Sequence, residues 1–158
     1  MSQNEAVLIK KTIDAPSEVV WDAWADPVKL ATWWRLSSVK RTVITEYDFR
    51  PGGSWRQHAI DNNDLAIGEH NPGVMFEQIV PQEKIVTVPK PIEGESVEVV
   101  PGLEKTIIAF ERVGDNKTQV SLKVSHDGPE DWRPNELVQS VYDEVFDGLE
   151  KFVRNLSK

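Results

Sequence analysis

The last stretch of the chain, residues 135–156, constrains the fold most. Its apolar residues recur at spacings of three, four and one, which trace one broad stripe along an α-helix, while polar and charged residues fill the opposite face. The stripe comprises Val138, Val141, Tyr142, Val145, Phe146, Leu149, Phe152, Val153 and Leu156. Asn135, after Pro134, suits the N-cap. A helix of this length reaches roughly 30 Å, so the rest of the chain has to supply a long apolar surface on which it can lie.

Composition and charge limit the classes of function. The 158 residues, 39% hydrophobic and 28% charged, predict a single folded domain spanning 1–158. The net charge of −8 opposes binding to nucleic acid or to anionic membranes. The absence of cysteine removes disulfides, thiolate metal sites and a cysteine nucleophile from consideration. No apolar run is long enough to span a membrane and the polar start is unlike a signal peptide, so we expect a cytoplasmic protein.

Alternating apolar residues and turn residues predict the elements before that helix. Strands are predicted at 6–13, 43–48, 54–60, 74–80, 84–88, 103–113 and 117–126. Two short helices are predicted between the first two strands, and Asp26-Pro27 separates them. The segment 89–102 has no usable period and is predicted to be a loop, with at most a short strand at 97–100. This order predicts an α+β fold, in which a curved antiparallel sheet of about six to seven strands grips the long C-terminal helix.

Three motifs carry a resemblance to a known family. They are Ala15-Pro16-Ser17-Glu18-Val19-Val20-Trp21 with Asp26-Pro27, then Trp33-Trp34, then Asp48-Phe49-Arg50-Pro51-Gly52-Gly53-Ser54-Trp55-Arg56. With the element order, they resemble the helix-grip superfamily of START domains, polyketide cyclases and birch allergens. Within that superfamily, the chain is similar to the family named after the activator of the 90-kDa heat-shock protein ATPase. The resemblance implies a hydrophobic cavity between the sheet and the long helix, but it does not imply one chemistry.

Six tryptophans suggest a large apolar interior or a lined cavity. For any one tryptophan, a place in the core is the more common outcome, yet we expect at least one to contact a cavity. The residues predicted to bind a ligand are Trp24, Trp33, Trp55, Phe76, Tyr142 and Phe146.

The other candidate motifs favour structural roles. In the segment 48–56, Gly52-Gly53 suits a tight bend and Asp48 can pair with Arg50. The histidines His58, His70 and His126 lack the helical spacing of a zinc pair, so no metal is expected. The acidic turn 61–64 lacks the glycine and glutamate that a calcium loop needs.

Three functions remain open. The first is binding of an apolar or amphipathic small molecule under the C-terminal helix, with no cofactor. The second is a cyclase- or hydratase-type enzyme, for which Glu77, Glu111 and His58 are possible acids or bases, although both glutamates can equally face outward and pair with lysines. The third, which the resemblance implies, is a protein-binding module whose partner is a chaperone ATPase.

Overall fold

The computed structural model describes residues 4–34, 39–67, 73–89, 103–126, 129, 131 and 136–156. The helices are α1 (Ser17–Ala25), α2 (Pro27–Trp33) and α3 (Glu136–Leu156). The strands are β1 (Asn4–Ile13), β2 (Val39–Tyr47), β3 (Ser54–Asp61), β4 (Ala66–Ile67), β5 (Val74–Val80), β6 (Lys84–Pro89), β7 (Leu103–Gly114) and β8 (Lys117–His126). The predicted N-cap Asn135, His70 and the loop residues 90–102 lie outside the described residues.

The strands form one antiparallel sheet in the order β1-β8-β7-β6-β5-β3-β2, and the two-residue β4 pairs with β3. The predicted fold class is therefore confirmed, with β4 as a short strand that the alternation did not indicate. Because β1 and β2 end the sheet on opposite sides, it stays open rather than closing into a barrel.

The predicted stripe of α3 faces the core. Val145, Phe146 and Leu149 are fully buried, whereas Leu156 at the helix end is 50% exposed. On the polar side of the helix, Asp147 accepts a hydrogen bond from Lys11 of β1 at 2.7 Å. An apolar face toward the core and an ion pair at the rim together hold the helix against the sheet.

Gly148 brings α3 unusually close to the end of α2. A Cβ atom at this position would lie 2.6 Å from the backbone oxygen of Trp33. Only glycine allows this approach, because a backbone carbonyl cannot move aside as the end of a flexible side chain can.

The motif at 48–56 is a turn that joins three strands. Gly52 has a positive φ of +88°, and a Cβ on Gly53 would lie 1.9 Å from the backbone oxygen of Asp48. Arg50 pairs with Asp48 at 2.8 Å. The backbone N–H of Gly52 donates to the oxygen of Phe76 at 2.8 Å, which ties the turn to β5. The structural interpretation of this motif is confirmed.

Candidate functional site

A cavity of about 230 Å³ lies between the inner face of the sheet and α3. Its lining residues are Trp34, Trp55, Gln57, Gly73, Val74, Thr87, Thr106, Ile108, Leu122 and Tyr142. Strand pairing brings several of them together, since Thr87 is the register partner of Thr106 and Ile108 is that of Leu122. Register partners on neighbouring strands point to the same side of a sheet, so distant parts of the chain build one wall.

The two short helices place Trp34 at the cavity. Asp26 ends α1 and caps α2, since its side chain accepts a hydrogen bond from the N–H of Val28 at 2.9 Å. Helix α2 then ends at Trp33, and the backbone of Trp34 leaves the helical region (φ −80°, ψ 84°). The indole of Trp33 stays in the core, whereas that of Trp34 lines the cavity.

Aromatic side chains cap the C-terminal end of α1. The last carbonyl oxygens of a helix have no donor within the helix and need hydrogen-bond donors from elsewhere. Here Trp33 Nε1 donates to the oxygen of Ala23 at 2.8 Å, and the Tyr47 hydroxyl donates to the oxygen of Trp24. Helix α2 and strand β2 are thereby locked to α1, which fixes one end of the cavity.

Trp55 is the most constrained aromatic side chain of the cavity wall. Its ring meets Trp34 edge to face at 5.2 Å and Tyr47 at 5.6 Å, and it stacks on Phe76 at 6.2 Å. It is only 8% exposed. Rings held on several sides form a rigid surface whose shape does not depend on a ligand.

Gln57 is oriented by Trp55. Trp55 Nε1 donates to Gln57 Oε1 at 2.9 Å, two residues along the same face of β3. Because an indole N–H can only donate, the oxygen of the amide must face it and the NH₂ group must lie on the other side. Within the part of the chain that the structure describes, that NH₂ group has no acceptor.

Other polar groups reach the same cavity. Thr87 is 3% exposed and lies beside Thr106, and the Trp34 indole and Tyr142 hydroxyl are the remaining hydrogen-bonding groups. None of these four has a hydrogen-bond partner among the described residues. Burial raises the pKa of Tyr142 above its usual value, so its hydroxyl stays protonated and able to donate near neutral pH.

The structure divides the six residues predicted to bind a ligand. Trp55 and Tyr142 line the cavity. The other four lie in the core, and each is no more than 2% exposed: Trp24, Trp33, Phe76 and Phe146. The ligand-binding role of all six stays a prediction.

Among the polar and aromatic lining residues, sequence reasoning missed Trp34, Gln57, Thr87 and Thr106. Gln57 had a usable signal, because it lies two positions after Trp55 on a predicted strand and so shares its face. The threonines had none, since a threonine on a strand is ordinary.

The candidate acids and bases lie away from the cavity lining. Glu77 is exposed and pairs with Lys105 at 2.7 Å. Glu111 lies on β7 and is also exposed. His58 follows Gln57 on β3 and therefore points to the opposite face of the sheet. Across the described residues, no group of three or more His, Cys, Asp or Glu side chains is arranged to hold a metal.

Comparison with solved structures shows the same fold in bacterial proteins. A crystal structure of a protein from Chromobacterium violaceum has a TM-score of 0.67 at 20% identity, and the match covers 95% of this chain and 96% of that protein. A solution structure of a protein from Arthrobacter aurescens has a TM-score of 0.72 at 14% identity, and the match covers 98% of this chain and 92% of that protein. An AHSA1-like protein from Aeromonas hydrophila has a TM-score of 0.61 at 17% identity over 94% of both chains.

The sequence itself shows the family. No curated protein matches the chain significantly. Among the helices that the structure describes, none is long and apolar enough to cross a membrane. The model of the family described as Activator of Hsp90 ATPase homolog 1-like protein matches residues 14–154, which is nearly the whole sequence. The chain therefore belongs to the Activator of Hsp90 ATPase homolog 1-like family.

Proposed function

We propose that this protein binds an apolar or amphipathic small molecule in the cavity between the sheet and α3. One observation carries the proposal: the cavity combines rigid aromatic walls with several hydrogen-bonding groups that have no partner among the described residues. Because these groups are not fully enclosed, an entering ligand can reach them and form hydrogen bonds with them. A mostly apolar concave site with a few convergent polar groups is typical of small-molecule binding.

A cyclase- or hydratase-type activity in the same cavity is less well supported. Such chemistry needs a general acid or base within hydrogen-bonding reach of the substrate. The described lining residues include no carboxylate and no histidine. Tyr142 is their one ionisable group, and its raised pKa makes it a poor base near neutral pH.

A protein partner, such as a chaperone ATPase, is supported only by the description of the family. No surface among the described residues favours it specifically. It becomes the first candidate if the cavity proves unable to bind small molecules.

The test is a thermal melt of the protein against fatty acids, sterols, flavonoids and small aromatic compounds. A ligand at a hundredfold excess over its Kd stabilises the fold by about 2.7 kcal/mol, which is readily visible as a shift. Val74 lines the cavity, so a Val74→Trp variant would fill part of it and should abolish the shift. Val113→Trp, at an exposed valine on β7, is the matched control and should retain it. If no compound of any class shifts the melt, the proposed function is wrong.

A further inference from the structure

The size, donors and charge of the cavity narrow the class of ligand, and this inference rests on the function proposed above. We propose that the ligand is an uncharged aromatic compound of one or two rings, with a carbonyl oxygen that accepts a hydrogen bond from the Gln57 side-chain amide. Gln57 is then the residue that determines specificity for the oxygen.

Volume sets the number of rings. A cavity of about 150 Å³ is enough to hold benzene, and sites for drug-sized ligands begin at about 300 Å³. The cavity here measures about 230 Å³, which lies between those values. It therefore accommodates one or two fused rings, whereas a sterol or a long acyl chain would extend well outside it.

The aromatic walls favour a flat ligand. Trp34 and Trp55 meet at an interplanar angle of 85°, so the two indoles form walls at right angles. A planar ring in that corner can stack on one indole while its own edge meets the face of the other, and these are the two arrangements that aromatic pairs prefer.

The hydrogen-bonding groups favour an acceptor on the ligand. The Gln57 NH₂ group and the Trp34 indole N–H can only donate, and both lack an acceptor among the described residues. The Tyr142 hydroxyl can donate as well. Three side chains that carry donors therefore line the cavity, whereas the carbonyl oxygen of the Gln57 amide already accepts a hydrogen bond from Trp55. A ligand oxygen would satisfy at least one of them.

The charge of the cavity lining disfavours a ligand that carries a carboxylate. No described lining residue carries a positive charge, and the chain as a whole has a net charge of −8. An anion would lose its hydration on entering the cavity without gaining a counter-ion, which is costly in an apolar environment. A neutral ketone presents the same acceptor oxygen without that cost.

The experiment compares three probes with one naphthalene skeleton, substituted at the same ring position. They are acetonaphthone, which has a carbonyl oxygen, isopropenylnaphthalene, which replaces it with a CH₂ group, and naphthoate, which carries a charge. We expect calorimetric titration to show that the ketone binds about tenfold more tightly than the alkene, and that naphthoate binds most weakly. A long-chain alcohol and a sterol complete the set and should bind more weakly than the ketone.

Gln57→Glu tests the role of the amide. The variant keeps an acceptor for the Trp55 N–H but replaces the NH₂ donor with an oxygen. Measured at mildly alkaline pH, where the new carboxyl is ionised, it should lose the preference for the ketone over the alkene. Gln78→Glu, the same change at an exposed position on β5, should retain that preference. If Gln57→Glu does not fold, the comparison of probes on the unaltered protein decides the question.

The outcomes separate the two proposals. Equal binding of ketone and alkene, tightest binding of naphthoate, or binding of the alcohol or sterol alone would overturn this inference and leave the proposed function standing. Retention of the ketone preference in a folded Gln57→Glu variant would overturn the role of Gln57. If no probe of any class binds, the proposed function itself fails.

Discussion

The indole of Trp55 and the amide of Gln57 form one unit on the inner face of β3, with Nε1 and Oε1 2.9 Å apart. The tryptophan supplies an apolar wall and at the same time fixes which side of the glutamine amide faces the cavity. A change in the first residue should therefore alter what the second one recognises.

Trp55→Phe tests this coupling. The variant keeps an aromatic ring but removes the N–H, so Gln57 is free to rotate its amide. We expect a loss of about 1–3 kcal/mol in the free energy of unfolding, from one hydrogen bond and the smaller ring. In titration, the preference for acetonaphthone over the alkene should shrink. Trp21→Phe changes a partly buried ring whose aromatic neighbours, Phe49 and Phe110, do not line the cavity, and it should leave that preference unchanged.

Phe146→Asp tests the orientation of α3. Phe146 is fully buried and its ring lies 6.0 Å from that of Trp24, so a carboxylate there would lose its hydration without a partner. We expect a loss of more than about 3 kcal/mol, measured by urea unfolding. Lys151→Ala, at an exposed position of the same helix, should change stability by less than about 0.5 kcal/mol. Equal midpoints for the two variants would mean that the helix packs by another face.

Gly148→Ala tests the close contact between α3 and α2. Alanine is the better helix former by about 1 kcal/mol, so helix propensity alone predicts a gain. The new Cβ would nevertheless lie 2.6 Å from the Trp33 oxygen, and the helix would have to move. We expect a net loss of about 1–3 kcal/mol in urea unfolding.

The control for that variant is Gly114→Ala at the end of β7. A Cβ there would lie 3.5 Å from the Lys117 side chain, which is ordinary contact. Its urea midpoint should stay close to that of the unaltered protein. A rise in the midpoint of Gly148→Ala would show that α3 does not contact Trp33 as described.

Alkaline pH should destabilise the protein through its two tyrosines. Burial raises the pKa of both Tyr47 and Tyr142 in the folded state. In the unfolded chain they ionise near pH about 10, so above that pH the unfolded state has lost protons that the folded state still holds. Stability is therefore complete below about pH 10 and falls as the pH rises toward the pKa values of the folded state, by at most about 1.4 kcal/mol per pH unit for each tyrosine.

Urea unfolding at increasing alkaline pH checks this expectation. Tyr142→Phe and Tyr47→Phe should each reduce the steepness of the decline, although Tyr47→Phe also loses its hydrogen bond to Trp24 at every pH. A smaller decline in stability should remain when both tyrosines are replaced. The hydrogen bond with Asp147 raises the pKa of Lys11, and this shift also makes stability fall as the pH rises. An undiminished slope in the double tyrosine variant would contradict the assignment.

Local patterns in the sequence were enough to predict most elements and several faces. Several confirmed features depend only on side chains that are close together in the chain. They are the stripe on α3, the strands at 74–80 and 117–126, and the turn at Gly52-Gly53. Periodicity and turn chemistry are properties of short segments, so they can be read without knowing what lies on the other side of the core.

Burial on β8 shows where local patterns stop being sufficient. Ser121 and Ser125 alternate with the apolar residues of β8, a pattern typical of side chains that face solvent, yet they are 7% and 3% exposed. β8 lies between β1 and β7, where the register neighbours of the two serines include Lys10 and Lys105. Each serine therefore lies beside a longer side chain on a flanking strand, and the sequence of β8 alone does not contain that fact.

Which residues line the cavity was decided by tertiary structure more than any other feature of the protein. The sequence by itself determined that large aromatic side chains would be buried, but burial in a core and burial in a cavity wall call for the same residues. Trp33 and Trp34 are adjacent, and the end of α2 between them decided which indole fills space and which lines it. Likewise, only the pairing of β6 with β7 placed Thr87 opposite Thr106, because strand register is set by contacts between segments that are distant in the chain.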